Sequence, residues 1–433
     1  MPIRVRALSG ARAAALAVLL AGLAACASSP NQAPKVDSDA LARVKSGAYV
    51  PASDAQVQPL RVSAPPSDPP WTIGLTRPAD PGPVPTLRPV IIFLPSLGEA
   101  DDAHNHWVEV WAKAGYAILD VQALSDDANV WGTPEARSGD FERIARSRFG
   151  DELMADRLAR LAALLNQIRA RGQAGDPTLM GLDWSHLALA GADLGAYTIQ
   201  TTLNSSPRSL ASIAWPLKPL AYIVISPYGR RNSNPARLDA YGNADAGAPV
   251  DAGEIPHAPV LMISGPNDAD AYGIVTDPSV RRLAFARLGP DRNGTSSDYY
   301  LEMQYATHRW LGGLSAGLAG FGEPAPKHSA PPPVLQGQGG VRDHQGQDKD
   351  DVSPGGDDDE STPEKKAQRE AARAELIRTR SRDLTRLAIG EVRFRAVTVA
   401  FLDAYVRGKE EAQTWLNQTA PGWLSDSDRL KRR

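Results

Sequence analysis

The segment Leu187–Gln200 carries an acidic residue where its neighbours predict a sharp turn. The run "LALAG" is typical of a buried strand, and the residues from Gly195 onward favour a helix. Between them stands the pentapeptide GADLG, residues 191–195, whose two glycines, Gly191 and Gly195, permit a tight strand-to-helix turn. Enzymes that carry a nucleophile on such a turn usually have Ser there, whereas this chain has Asp193.

A carboxylate at this position supports a different chemistry from a hydroxyl. Asp193 has no proton for a base to remove, and its attack on an ester carbonyl would give an acid anhydride that readily collapses back. Attack on an sp³ carbon that bears a leaving group instead gives an alkyl ester, which a His-activated water can hydrolyse. The residue type therefore disfavours ordinary esterase or peptidase turnover.

Alternating strands and helices must position this turn. Besides 187–191, strands are predicted at "PVIIFLP" (89–95), "YAILDVQ" (116–122), "LAYIVIS" (220–226), "APVLMIS" (258–264) and "DYYLEMQYA" (298–306). Helices are predicted over 103–114, over 151–172, from 195, and from about 364 through "FRAVTVAFLDAYVRG" (394–408). The alternation predicts an α/β fold with a mostly parallel central sheet and helices on both faces.

This order of elements around the turn resembles the α/β-hydrolase superfamily, nearest to its dienelactone-hydrolase-like and polyester-hydrolase-like branches. The resemblance covers roughly residues 60–320 and the helix near 390–410, and it implies the α/β-hydrolase fold. The family motif G-x-S-x-G is matched except that Asp193 replaces Ser. In the family, the catalytic acid follows the strand that here is "APVLMIS", and the catalytic His follows the strand "YYLEMQYA".

The resemblance therefore implies a triad of Asp193, Asp268 and His308, with Asp270 as the second choice for the acid. It also implies an oxyanion hole made by the N–H groups of Leu194 and Leu97. The loop that carries Leu97 reads "PSLG" (95–98) where the family often has H-G-x-G. Its hydroxyl residue, Ser96, is not on a nucleophile turn and is a poor candidate nucleophile.

Haloalkane dehalogenases and epoxide hydrolases of this superfamily have Asp at the turn. The former usually follow it with Trp, where this chain has Leu194, and the latter use tyrosines on a helical cap. The corresponding segment, about 227–257, contains Tyr228 and Tyr241 but is too short for such a cap. Two carboxylates beside His308 also favour imidazolium, which cannot accept a proton.

Two hypotheses follow. The first is a membrane-anchored hydrolase with an Asp-Asp-His site, acting on a small-molecule or polymeric, ester-like substrate. The alternative is a catalytically inactive hydrolase-fold lipoprotein that acts as a binding or scaffold protein.

The N-terminus predicts export and a lipid anchor. Positive residues precede a short apolar run at 13–24, which is too short to span a bilayer and is typical of a signal peptide. The following "LAAC" resembles a bacterial lipoprotein lipobox, which implies that the single cysteine, Cys26, is lipidated. Since Ala27 rather than Asp follows it, the resemblance implies the outer membrane, with the domain facing the periplasm.

Composition sets the remaining boundaries. The net charge of −3 over 433 residues argues against a nucleic-acid partner. Residues 27–60 predict a flexible tether, and the Pro-, Gly- and acid-rich stretch 322–366 predicts a disordered insertion. The hydrolase core is then 61–321, completed by a C-terminal helical segment, 367–433.

Neither a cofactor nor a metal is expected. The sequence has no P-loop, dinucleotide fingerprint or CxxC motif, and His104 and His106 beside two acids fit a helix N-terminus better than a metal site. Trp107, Trp111, Trp131 and Trp310 are candidates either for the core or for an aromatic pocket.

Overall fold

The computed structural model describes residues 33–80, 82, 86–99, 105–203, 205, 207–229, 257–286, 288, 297–313, 363–424 and 427–433. Cys26 and the signal segment, the expected insertion up to residue 362, and His104 all lie outside the described residues. Tyr241 and most of the segment 227–257 also lie outside them.

One mixed sheet of nine strands, counted over the described residues, forms the centre of the fold. Its strands are β1 (Val57–Arg61), β2 (Trp71–Pro78), β3 (Arg88–Leu94), β4 (Ala117–Ala123), β5 (Leu182–Ala192), β6 (Ala221–Ile225), β7 (Val260–Ser264), β8 (Tyr299–Glu302) and β9 (Arg429–Arg432). They lie in the order β1-β2-β4-β3-β5-β6-β7-β8-β9. The contiguous strands β4, β3 and β5 to β8 are parallel, and the outer strands β1, β2 and β9 pair antiparallel. The predicted α/β class is confirmed.

The described helices are α1 (Ser38–Gly47), α2 (His106–Lys113), α3 (Pro134–Ser138), α4 (Phe141–Phe149), α5 (Asp151–Gln173), α6 (Leu194–Leu203), α7 (Pro207–Ser212), α8 (Arg281–Ala286), α9 (His308–Leu311), α10 (Pro363–Tyr405), α11 (Glu410–Thr414) and α12 (Ala420–Trp423). Two of them, α2 and α5, begin or end within a few residues of the predicted helices 103–114 and 151–172. No described helix combines the length and apolar character needed to cross a bilayer.

Apolar side chains cover both faces of the sheet because alternate residues of each buried strand point to opposite sides. In β3, Ile91 and Phe93 face one cluster, which contains Trp107 and Trp111 of α2 and the C-terminal part of α10. Val90 and Ile92 face the other cluster, to which α5 and α6 contribute. Helices therefore pack on both faces of a sheet whose parallel strands are continuous apolar runs.

The segment expected as a tether is partly regular in the structure. Helix α1 lies at Ser38–Gly47 and strand β1 begins at Val57, where it pairs with β2. The described residues 33–39 and 363–386 group as a small unit of their own. Within it, the Lys35 N–H donates to Ser381 Oγ at 3.0 Å and the Asp37 N–H donates to Thr385 Oγ1 at 2.8 Å.

The chain order of the strands determines where a site can form. Strand β3 pairs with β4 on one side and with β5 on the other, so the direction in which strands are added reverses between them. In open parallel sheets, ligands bind at the carboxyl ends of the strands beside such a reversal. The loop after β3 and the turn after β5 meet there, since Leu94 pairs with Gly191.

Candidate active site

The turn after β5 holds Asp193 in a left-handed backbone conformation. Its φ is 51°, which non-glycine residues seldom adopt and which persists only where the surroundings impose it. The Asp193 N–H donates to the Ile225 carbonyl at 3.1 Å, and its own carbonyl accepts from the Tyr197 N–H at 2.9 Å as α6 begins. The strand-to-helix turn expected at GADLG is the observed local structure.

The two glycines of this turn allow α6 to approach the sheet closely. A Cβ on Gly195 would lie 1.9 Å from the Leu94 carbonyl oxygen, and a Cβ on Gly191 would lie 2.7 Å from the Gly195 carbonyl carbon. Both distances are shorter than any contact that the backbone can accept. The glycines are therefore required by the packing of β3, β5 and α6 as well as by the turn.

We expect Gly195→Ala to destabilise the fold by about 3 kcal/mol or more, because α6 must move away from β3. Urea unfolding with an unchanged m-value would measure the loss. Gly132→Ala is the matched control, since a Cβ there meets nothing within 4 Å. Equal stabilities of the two variants would contradict the packing argument.

The Asp193 carboxylate is buried, at 1% exposure, and is surrounded by donors. The Leu97 N–H donates to Oδ2 at 3.2 Å. The Tyr228 hydroxyl donates to Oδ1, and His308 Nε2 lies 3.5 Å from the same oxygen. The two oxygens thus have different surroundings, one facing the loop after β3 and the other facing the imidazole.

Asp268 follows β7 and contacts the other nitrogen of the imidazole. Its Oδ1 lies 2.6 Å from His308 Nδ1. The Ser226 hydroxyl donates to Oδ1 at 2.9 Å, and the Ser264 hydroxyl donates to Oδ2 at 2.7 Å. Asp268 is completely buried, so these donors and a neighbouring guanidinium replace its hydration.

The structure thus brings Asp193, His308 and Asp268 together in one hydrogen-bonding line, although they lie 40 or more residues apart in the chain. Asp270, the second choice for the acid, makes its hydrogen bonds within its own loop. Its carboxylate accepts the backbone N–H groups of Tyr272, Ile274 and Val275, so it stabilises the loop after β7.

The two carboxylates are the main influence on the pKa of His308. Burial alone would lower the pKa of His308, but the hydrogen bonds and charges of Asp193 and Asp268 outweigh burial and raise the pKa to about 10. Burial opposes ionisation of Asp193, but His308, the Tyr228 hydroxyl and Arg281 hold its pKa below the usual value. The raised pKa of His308 and the lowered pKa of Asp193 both favour the imidazolium that the sequence predicts.

The predicted oxyanion-hole residues, Leu97 and Leu194, lie in the loop after β3 and directly after Asp193. Leu97 already donates its N–H to Asp193 Oδ2. Leu194 is the first residue of α6, so its N–H has no acceptor within the helix. The Asp193 side chain itself therefore accepts the hydrogen bond of one of the two predicted donors.

A buried acid, Glu99, ties the loop that carries Leu97 to the segment after His308. Its Oε2 accepts the Ser96 N–H at 3.2 Å, and its Oε1 accepts Asn105 Nδ2 at 2.6 Å. The same Asn105 nitrogen also donates to the Gly312 carbonyl at 2.7 Å. Burial, with the charges of Asp120 and Asp193, raises the pKa of Glu99 to about 8 against these hydrogen bonds.

Because the Glu99 pKa is raised on folding, the stability associated with its protonated form is complete below about 4.5 and declines as pH rises through about 8. We expect Glu99→Gln to remove a slope of up to ~1.4 kcal/mol per pH unit from the free energy of unfolding between these values. Denaturant titrations at several pH values would measure it. Glu375→Gln, at an exposed carboxyl, is the control, and identical slopes in the wild type and Glu99→Gln would contradict the prediction.

An aromatic layer contacts Asp193 through the Tyr228 hydroxyl. It contains Trp131 and Tyr272, stacked at 5.8 Å with their planes 2° apart, and Phe149, Tyr197 and Tyr228 in tilted or edge contacts. The Tyr272 hydroxyl donates to the Leu97 carbonyl at 2.8 Å, which fixes the layer to the loop after β3. The layer therefore places aromatic side chains beside a carboxylate whose direct partners are polar.

Of the four candidate tryptophans, three lie in the core and one lies near the site. Trp107, Trp111 and Trp310 belong to the apolar cluster on one sheet face, and only Trp131 lies in the aromatic layer. His106, the first residue of α2, places its Nε2 2.9 Å from Glu391 Oε1. Among the described residues, no group of three or more His, Cys, Asp or Glu side chains is arranged to hold a metal ion.

Sequence reasoning misses two residues that shape the site, Arg281 and Glu99. Glu99 directly follows the loop "PSLG" (95–98), but nothing in its neighbours signals burial. Arg281 lies in "VRRLAF", where an arginine predicts a solvated helix face, yet its side chain is fully buried. The sequence places Tyr228 only in the segment where related enzymes have a cap, whereas in the structure its hydroxyl contacts Asp193.

Neither a protein-family model nor a curated protein matches this chain.

Proposed function

We propose that this chain is an α/β-hydrolase-fold hydrolase in which Asp193 is the nucleophile toward an sp³ carbon that bears a leaving group. The observation that carries the proposal is that the two oxygens of the Asp193 carboxylate have different hydrogen-bond partners. Oδ2 accepts the Leu97 N–H, while Oδ1 faces His308 Nε2 from a turn held at positive φ. A residue that only replaced a lost serine would not need its two oxygens in these two environments.

In the first step, Asp193 Oδ1 bonds to the substrate carbon, and the electron pair of the broken bond departs with the leaving group. Loss of the Asp193 charge allows the imidazolium to release its proton. In the second step, water attacks the Asp193 carboxyl carbon and gives a proton to His308 Nε2.

Negative charge then develops on Oδ2, where the Leu97 N–H already donates. Collapse of this intermediate releases the substrate carbon as an alcohol, which takes its proton from His308 Nε2. The proton of the Asp193 carboxyl then passes to the neutral imidazole. The site regains its carboxylate and imidazolium, and the net reaction consumes one water and releases one proton with the leaving group.

The chemistry of the surroundings limits the substrate class. The aromatic layer and the low exposure of Asp193 favour a small, uncharged molecule with an apolar body. Tyr228, whose hydroxyl donates to Oδ1, must release that oxygen before attack and can then donate to a departing oxygen.

We propose that the domain acts while anchored through Cys26 at the periplasmic face of the outer membrane.

Turnover in oxygen-18 water tests the proposal. The chain is incubated with small epoxides and primary alkyl halides, and the peptide that contains Asp193 is analysed by mass spectrometry. A carboxylate nucleophile acquires the solvent oxygen, because water attacks the carboxyl carbon. Turnover that leaves this peptide unlabelled would contradict the proposal, and Asp193→Asn controls for turnover elsewhere.

One observation favours the alternative of a catalytically inactive binding or scaffold lipoprotein. Three partners already surround the Asp193 carboxylate, and their hydrogen bonds make it a stable buried ion pair. This alternative predicts no turnover across the panel, and a biological activity that Asp193→Ala leaves unchanged.

A further inference from the structure

Arg281 is a fully buried cation whose contacts the mechanism above does not use. It begins α8, and its guanidinium donates to three backbone carbonyls: Nε to Asp268 at 2.8 Å, and Nη1 to Ser226 at 2.8 Å and to Pro227 at 3.1 Å. These carbonyls belong to the segments after β6 and β7, so the guanidinium is held rigidly. Its carbon lies 4.9 Å from the centre of the Tyr228 ring.

The same guanidinium lies against the triad acid and the imidazole. Its Nε is 3.2 Å from Asp268 Oδ2, and its Nη2 is 3.4 Å from His308 Nδ1. From His308 Nδ1, the negative charge of Asp268 at 2.6 Å is therefore accompanied by a positive charge at 3.4 Å. Such a pair attracts a proton on the imidazole far less than a carboxylate alone would.

Arg281 acts on Asp193 through its charge alone, without the direct contact that it makes with Asp268. The donors in hydrogen-bond contact with Asp193, apart from His308, are the uncharged Tyr228 hydroxyl and Leu97 N–H. The remaining acid that faces the cluster, Asp270, lies 3.8 Å from Arg281 Nη2 and accepts three backbone N–H groups. The acids around His308 are thus Asp193, which Arg281 does not contact, and Asp268 and Asp270, which both pair with Arg281.

We propose that Arg281 is a positioning residue that neutralises Asp268, so that the charge on Asp193 alone decides whether His308 holds its second proton. This inference rests on the proposed function, because its consequence is an order of events. While Asp193 is free, His308 is a cation and cannot act as a base. When Asp193 becomes an ester, its charge disappears, His308 releases the proton to solvent, and the neutral imidazole can accept one from water.

NMR titration of His308, in protein labelled at histidine, tests the inference without any substrate. His308→Gln identifies the resonance among the seven histidines. Asp193→Asn imitates the uncharged ester, and we expect it to lower the pKa of His308 by at least two units. Asp268→Asn should lower it by less, although Asp268 lies closer to the ring. A fall in Asp193→Asn that is smaller than that in Asp268→Asn would overturn the inference.

The part played by Arg281 is measured in the Asp193→Asn background. Adding Arg281→Met should restore most of the lost pKa, because Asp268 then acts as an unpaired anion. Adding Arg281→Lys, which keeps the charge but not the planar donor set, should leave the pKa low. Equal titrations of the Met and Lys variants would overturn the proposal, and the comparison of Asp193→Asn with Asp268→Asn stands even where Arg281→Met does not fold.

A kinetic readout separates this inference from the proposed function. With an epoxide or alkyl halide that the wild type turns over, Arg281→Met should slow hydrolysis of the ester at least tenfold at pH 7. The rate should recover as pH rises above the raised His308 pKa, which a merely structural defect would not produce. Slow ester hydrolysis in Arg281→Met with the same pH dependence as the wild type would contradict the role of Arg281. Absence of any ester on Asp193 would contradict only the proposed nucleophile.

Discussion

Replacing His308 with Gln is expected to lower steady-state turnover by about 10²–10⁴-fold and to leave an ester on Asp193. The two steps of the proposed reaction use His308 differently. Displacement at the substrate carbon needs only the carboxylate, whereas hydrolysis needs a base at the distance now held by Nε2. Gln can donate to Asp193 but cannot take a proton from water, so the first step proceeds and the second stops.

Intact-protein and peptide mass spectrometry would detect this ester as one added substrate fragment on the peptide that contains Asp193. The matched control is His186→Gln, because His186 pairs with Asp183 on the exposed part of β5 and takes no part in the site. Unmodified Asp193 together with lost turnover would show that His308 acts before the carbon–oxygen bond forms.

Replacing Asp193 with Ser is expected to create esterase activity at least ~10²-fold above that of Asp193→Ala. The change removes one of the two anions that hold a proton on His308, so the imidazole becomes available as a base. It also frees the Leu97 N–H, which the wild-type carboxylate occupies. The new hydroxyl would stand on a turn that already has positive φ, beside an oriented His308–Asp268 pair.

Hydrolysis of an activated acetate ester, with a burst of one product equivalent per chain, measures this gain. The double variant Asp193→Ser/His308→Gln is the control, since it keeps the hydroxyl but removes its base. If the single and double variants hydrolysed the ester equally, the His308–Asp268 pair would not be usable machinery, and the inactive alternative would gain support.

Both predictions depend on the same physical property of the site. Its charges are balanced so that each ionisable group is controlled by a neighbour: Asp193 by His308, and Asp268 by Arg281. Buried charges are stable only when paired, and removing one partner changes the protonation of the other. Substitutions here therefore act through proton affinity as well as through lost contacts.

Much of this arrangement can be predicted from local sequence. The continuous apolar runs predict β3 and β5 to β7, since strands buried on both faces need no polar alternation. The sequence GADLG predicts the turn, because a helix that folds back tightly onto its strand needs glycines at these two positions. The order of acidic and imidazole residues after successive strands, read through the resemblance, predicts that Asp193, Asp268 and His308 converge.

Tertiary structure alone decided the residues that set the protonation of the site. Nothing in "VRRLAF" distinguishes Arg281 from a surface arginine, and its burial follows only from the meeting of α8 with the segments after β6 and β7. The resemblance ranks Asp268 before Asp270, but both stand in one short loop, and only the contacts of the two carboxylates separate their roles. Sequence determines which groups a chain has and which strands bear them, whereas proton affinity depends on distances between groups that the chain separates by tens of residues.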